Sequence, residues 1–118
     1  MEKLYIENYL KALHHKIKVG GIIKYVDDEK KNSMALLVME LPLGERKKVI
    51  EELRVEDYIG GPIENKGSAD APVVWVFGKM IREYEVCIKI SIGEKNDSPI
   101  CISFHPAKEP MVYPFKHQ

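Results

Sequence analysis

Long apolar runs are missing from this chain, as are clustered cysteines, low-complexity segments and a surplus of charge of either sign. No uninterrupted apolar stretch approaches the roughly 20 residues of a membrane span. Met1-Glu2-Lys3-Leu4-Tyr5 also lacks the apolar region of a secretory signal. The expected setting is therefore the cytoplasm, with no membrane partner. Lys plus Arg equals Asp plus Glu at 18 each, so the summed charge gives no pull towards nucleic acid or a lipid surface, although it leaves room for a local patch. The two cysteines, Cys87 and Cys101, lack C-x-x-C spacing and read as small reduced packing residues rather than a disulfide framework. His14, His15 and His117 have no partners at zinc-ligand spacing, so neither a metal nor a cofactor is expected.

What remains is a chain of 118 residues, 45% hydrophobic and 31% charged, which suits a single domain over residues 1–118 with its own core. Leu4, Tyr5, Tyr9, Ala12 and Leu13 fall at helical spacing and predict an opening helix over 2–13. From His15 the pattern changes to alternation, Ile17 and Val19 against Lys16 and Lys18. With Ile22, Ile23, Tyr25 and Val26 beyond Gly20-Gly21, it predicts one long strand bent at the glycines. Asn32 or Ser33 can cap a helix through Met34, Leu37, Val38 and Leu41 that Pro42 stops, and Gly44 to Leu53 supplies another. The stretch 59–72, rich in Gly, Asn, Ser, Asp and Pro, reads as a surface loop. The closing prolines 106, 110 and 114 predict an extended tail.

Between loop and tail lie the strand signals: 73–81, 84–92 and 98–105. A two-residue turn at Arg82-Glu83 would set Ile81 opposite Tyr84, Phe77 opposite Ile88 and Trp75 opposite Ile90. Pairing Ile90 with Ile100 and Ile88 with Ile102 keeps one apolar face, and puts Lys89 near Cys101, Cys87 near Ser103 and Glu85 near His105. The opposite face then carries Cys87, Lys89, Ser91, Cys101, Ser103 and His105, a set that solubility does not require and that can handle a phosphate and a proton.

Leu53-Arg54-Val55-Glu56-Asp57-Tyr58, Gly61-Pro62, Val74-Trp75-Val76-Phe77-Gly78-Lys79, Glu85-Val86-Cys87-Ile88-Lys89-Ile90 and the run from Ile100 to Pro114 resemble the MqsR-like toxins of type II toxin–antitoxin systems. The resemblance runs from about Met34 onward, and Ile102-Ser103-Phe104-His105 with its proline-bearing tail is its most specific part. It implies an α+β fold like that of RelE, with two or three helices packed on one face of an antiparallel sheet of about four strands. It also implies a ribosome-independent endoribonuclease acting on messenger RNA, silenced by a cognate antitoxin. The chain departs from the family pattern where relatives carry tyrosine and this chain Cys87, where glutamine follows the strand tryptophan and this chain has Val76, and where lysines give way to Gly60 and His105.

Metal-free RNA cleavage needs a base for the 2′-hydroxyl, an acid for the leaving 5′ oxygen, and a cation or donor for the crowded phosphorane. His105 suits either proton-transfer task, since an ordinary imidazole titrates near ~6.5. Lys89 suits the third task, Ser103 can donate to a phosphate oxygen, and Cys87 is a weak substitute for the family tyrosine. Lys79 and Arg82 are candidates for flanking phosphates, and Tyr58 and Tyr113 for stacking bases. Each has a plainer reading: a histidine ending a strand before proline can be structural, exposed strand lysines protect edges, and Trp75 and Phe77 belong to the core. A non-catalytic interaction module of the same fold is the alternative function, which the neutral net charge and Cys87 favour. In either case a partner protein is expected, by strand addition at a sheet edge or on the face bearing Lys89.

Overall fold

The computed structural model describes residues 2–26, 30–64, 73–93 and 97–116, the side chains of Lys30, Lys31 and Ser33 aside. Helix α1 spans Lys3–Gly20 and buries Ile6, Tyr9, Leu10, Leu13 and Ile17, a stripe at the 3.6-residue period. The lysine-punctuated segment expected as a strand belongs to this helix. Its alternation was two helical faces sampled over too few residues: Ile17 is 1% exposed on the buried stripe while Val19 is 74% exposed on the other side. The glycine pair stops the helix instead of bending a strand. Gly21 takes φ 72° and its N–H bonds the carbonyl of Ile17, a left-handed cap that a side chain would strain. Of the long strand only β1, Lys24–Tyr25, remains.

Helices α2, Lys30–Val38, and α3, Leu43–Glu51, flank Pro42, and a single 3₁₀ turn covers Val55–Asp57. The strands are β2, Tyr58–Ile63; β3, Val74–Ile81; β4, Tyr84–Ser91; and β5, Ile100–Pro106. Among the described residues they form an open five-stranded sheet in the order β1-β5-β4-β3-β2. The sheet is mixed, since β1 runs parallel to β5 and the other neighbours are antiparallel. The addition to the expected four-stranded antiparallel sheet is β2, a strand that propensity hides, since it carries Gly60, Gly61 and Pro62 with register shifts on either side of Gly60. At Gly61, φ 109°, a Cβ would lie 2.8 Å from the Val74 carbonyl oxygen, so only glycine lets this edge approach β3. The remainder of the expected loop, 65–72, lies outside the described residues.

The β3–β4 hairpin has the register that alternation predicts, with Ile81 opposite Tyr84, Phe77 opposite Ile88 and Trp75 opposite Ile90. Arg82 adopts φ 56° in its turn. The β4–β5 register differs from expectation by two residues as far as Lys89 and by one beyond it. Phe104 stands opposite Ile88, and an irregularity between Lys89 and Ile90 leaves Ile102 as an extra residue on β5. That bulge switches the phase of alternation, so Cys101, 2% exposed, faces the core beside Ile90 while Ile100 and Ile102 are only half-buried. Cys101 therefore leaves the polar face that the sequence assigns it, and its thiol donates to the Ser103 carbonyl at 3.4 Å.

One core lies between the sheet and the helices. Tyr9 of α1 stacks on Trp75 at 4.0 Å between ring centroids, Ala35 and Met39 come from the α2 region, and Ile50 and Leu53 from α3 and its exit. Asn32 on α2, 3% exposed, finishes what the short β1 cannot. Its amide nitrogen donates to the carbonyls of Val26 and Ile102 at 2.7 and 2.8 Å, and its oxygen accepts from the Phe104 N–H at 3.3 Å. The hairpin tip satisfies orphan carbonyls at the end of α2, with Arg82 donating to Met39 and Tyr84 to Val38.

Candidate active face

The sheet face turned away from the helices is built in rows across β3, β4 and β5. Val76, Lys89 and Ser103 form one row and Gly78, Cys87 and His105 the next. Met80 and Glu85 form a third, where the Ala107 N–H bonds the Glu85 carbonyl. Strands lie about 4.8 Å apart, and same-face residues along a strand about 6.8 Å, so His105, Cys87, Lys89 and Ser103 occupy a patch the size of one nucleotide linkage. Alternation places them there once the bulge has reset the phase of β5. The expected neighbours change accordingly: His105 faces Cys87 rather than Glu85, and Ser103 faces Lys89 rather than Cys87.

The ring of His105 is oriented. Its Nδ1 lies 3.0 Å from the carbonyl oxygen of Pro106, which can only accept. Nδ1 therefore carries the hydrogen, and in the neutral ring the lone pair is on Nε2. Lys89 is exposed and Ser103, opposite it, is buried. Ser91, expected on this face, is buried, and its Oγ accepts from the Gly93 N–H at 3.3 Å.

The tail returns across the same face. Glu85 accepts from the Met111 N–H at 2.9 Å through one carboxylate oxygen and from the Tyr113 hydroxyl at 2.8 Å through the other. Below them, a Cβ on Gly78 would collide with the Met111 methyl and the Tyr113 ring and hydroxyl. Further on, Phe115 packs 5.9 Å from the ring of Tyr58. The Tyr113 phenol is pushed above its ordinary range by burial first, then by the hydrogen bond and charge of Glu85, with smaller contributions from Asp57 and Cys87. It is a permanent donor, not a base. Lys116 holds its ammonium 5.1 Å from the Tyr113 ring centre.

The structure thus brings together Cys87, Lys89, Ser103, His105 and Tyr113. It does not bring Tyr58, Lys79 or Arg82 to them. Tyr58 is 5% exposed, edge-on to Trp75 and Phe77, its hydroxyl donating to the Gly61 carbonyl and its pKa raised by burial. No ring face is left for a base. Lys79 lies on the helix side, 3.2 Å from Asp57, whose same oxygen caps the Arg54 N–H. Arg82 is at the hairpin tip, 3.8 Å from Glu40. Sequence reasoning passed over Glu85, Met111 and Gly78. Gly78 carried a readable signal, because a glycine in the middle of a strand marks a bulge or the close approach of another segment.

A cavity of about 610 Å³ near His15, Lys16, Ile92 and Pro99 lies away from this face. Among the described residues no group of three or more His, Cys, Asp or Glu could hold a metal ion, and no helix is long and apolar enough to cross a membrane. Compared with known proteins, the chain matches no family model, no curated protein and no solved structure.

Proposed function

We propose that this chain is a cytoplasmic type II toxin of the MqsR-like, RelE-like kind, a ribosome-independent messenger RNA endoribonuclease neutralised by a cognate antitoxin. The observation that carries the reading is His105 held through Nδ1 by the Pro106 carbonyl, in rows with Lys89 and Ser103 on one sheet face. The packing of three helices against one face of the sheet supports the likeness in fold.

In this reading Nε2 of His105 takes the proton of a 2′-hydroxyl. The 2′ oxygen attacks phosphorus, the bond to the 5′ oxygen breaks, and the leaving oxygen takes a proton from water or from the imidazolium just formed. Products are a 2′,3′-cyclic phosphate and a 5′-hydroxyl. Lys89 offsets the charge that gathers on the phosphorane oxygens, and Ser103 donates to one of them. Cys87, between His105 and Gly78, leaves room for the phosphate.

Both sheet edges are poor templates for strand addition, since β1 has two residues and β2 contains Gly61-Pro62. The outer side of α2 instead exposes Met34, Leu37 and Val38, with Leu43 close in sequence, and this apolar surface also favours the second reading, a non-catalytic interaction module. Induced expression with and without the neighbouring reading frame separates them. A toxin arrests growth alone and is rescued by its neighbour, whereas a module with no nuclease activity does neither.

A further inference from the structure

A flat sheet face has no walls, and a nuclease working on one needs something to hold the strand at its phosphate. On this sheet the C-terminal segment fills that gap. It is fixed at its start by the Ala107 N–H on the Glu85 carbonyl, in its middle by both oxygens of the Glu85 carboxylate, and at its far end by Phe115 against Tyr58. Gly78 is the seat, because a Cβ there would force the Met111 methyl and the Tyr113 ring to shift. A glycine in mid-strand weakens the sheet, so its place here follows the need for close approach. The Tyr113 ring and the Lys116 ammonium 5.1 Å from its centre form an aromatic–cation pair at the border of the Cys87–His105 row. That pairing suits a single strand, by stacking with one nucleotide and attracting its phosphate.

We infer that the segment 107–116 is one wall of the RNA site, holding the nucleotide next to the cleaved phosphate against Tyr113 and Lys116, and that Glu85 and Gly78 are positioning residues for it. The inference rests on RNA cleavage at this face. It adds a substrate class, single-stranded RNA extending past the cleaved linkage, and assigns tasks to Glu85 and Gly78 that the cleavage chemistry alone does not require.

The test uses the full chain and one single-stranded RNA oligonucleotide, in a cleavable form for KM and kcat and a 2′-O-methylated form for Kd. Gly78→Ala, which forces the Tyr113 ring to shift, should raise KM and Kd by about tenfold, the scale of one lost stacking contact. Tyr113→Phe, which removes one hydrogen bond of the clasp, should raise them by about threefold. In both, kcat should fall by less than KM rises, and melting temperatures report folding. Should Gly78→Ala fail to fold, Tyr113→Phe decides. If the parent cleaves and His105→Ala does not, yet the folded tail variants keep KM and Kd at parental values, the wall is wrong and the active face stands. A parent that neither cleaves nor binds the oligonucleotide removes the active face and the wall together.

Discussion

Asn32 does the work of a missing stretch of strand, and its replacement has a cost that can be worked from three hydrogen bonds. In Asn32→Ala the carbonyls of Val26 and Ile102 lose donors and the Phe104 N–H loses its acceptor. A net loss of about 1 kcal/mol per bond, with one or two of these groups shut away from water, gives roughly 3 kcal/mol of destabilisation. For a domain of this size that is a fall in Tm of about 10 °C. Asn32→Asp should be worse than Ala. It keeps the acceptor for Phe104 but sets a carboxylate against two carbonyl oxygens at a site 3% exposed. Urea denaturation of the parent and both variants, comparing midpoints at constant m, is the assay. A loss below about 0.5 kcal/mol for Ala, or an Asp variant as stable as the parent, would refute the claim that this side chain completes the β5 edge. Since β5 carries Ser103 and His105, the same variants should also weaken any activity of the face.

Two further outcomes test the placement of particular groups. Ultraviolet titration should show Tyr113 and Tyr9 ionising well above the ordinary phenol range, because burial, and at Tyr113 also Glu85, favours the neutral phenols. The folded pKa values lie above the unfolded one, so this stabilisation is complete below about pH 10 and declines as pH rises beyond it; ionisation of both phenols in the ordinary range would contradict the packing. Lys79→Ala should cost about 1 kcal/mol in a denaturation measurement by breaking the partly buried pair with Asp57. It should leave RNA affinity per folded molecule unchanged, whereas a marked loss of affinity would return Lys79 to the site.

Alternation was enough to read the hairpin of β3 and β4, because Trp75, Phe77, Ile88 and Ile90 have a single apolar face to share and a two-residue turn fixes the register. It failed where a local device changes the phase or the period. The bulge at Ile102 exchanged Cys101 for its isoleucine neighbours in the core, and the last turn of α1 imitated a strand because helical faces and strand faces look alike over four residues. The pairing of β2 depends on glycines tolerating a close approach, which propensity scores as loop. At the site, Lys89, Cys87, Ser103 and His105 were legible as side chains on the polar face of strands. The tail was not, since Tyr113 meets Glu85 across 28 positions of sequence and no periodicity links them. The surroundings of Tyr58 and Lys79 were hidden for the same reason, as their partners Phe115 and Asp57 are tertiary neighbours.

The central claim is that His105, held through its Nδ1, is the base of an RNA-cleaving face. The most direct measurement is cleavage of a defined single-stranded RNA by purified parent and His105→Ala, with product ends identified and melting curves recorded in parallel. The account predicts 2′,3′-cyclic phosphate ends from the parent and at least about a hundredfold loss in the variant, with stability within about 0.5 kcal/mol because the ring is half-exposed and leaves no core cavity. Cleavage by the folded variant at the parental rate would contradict it.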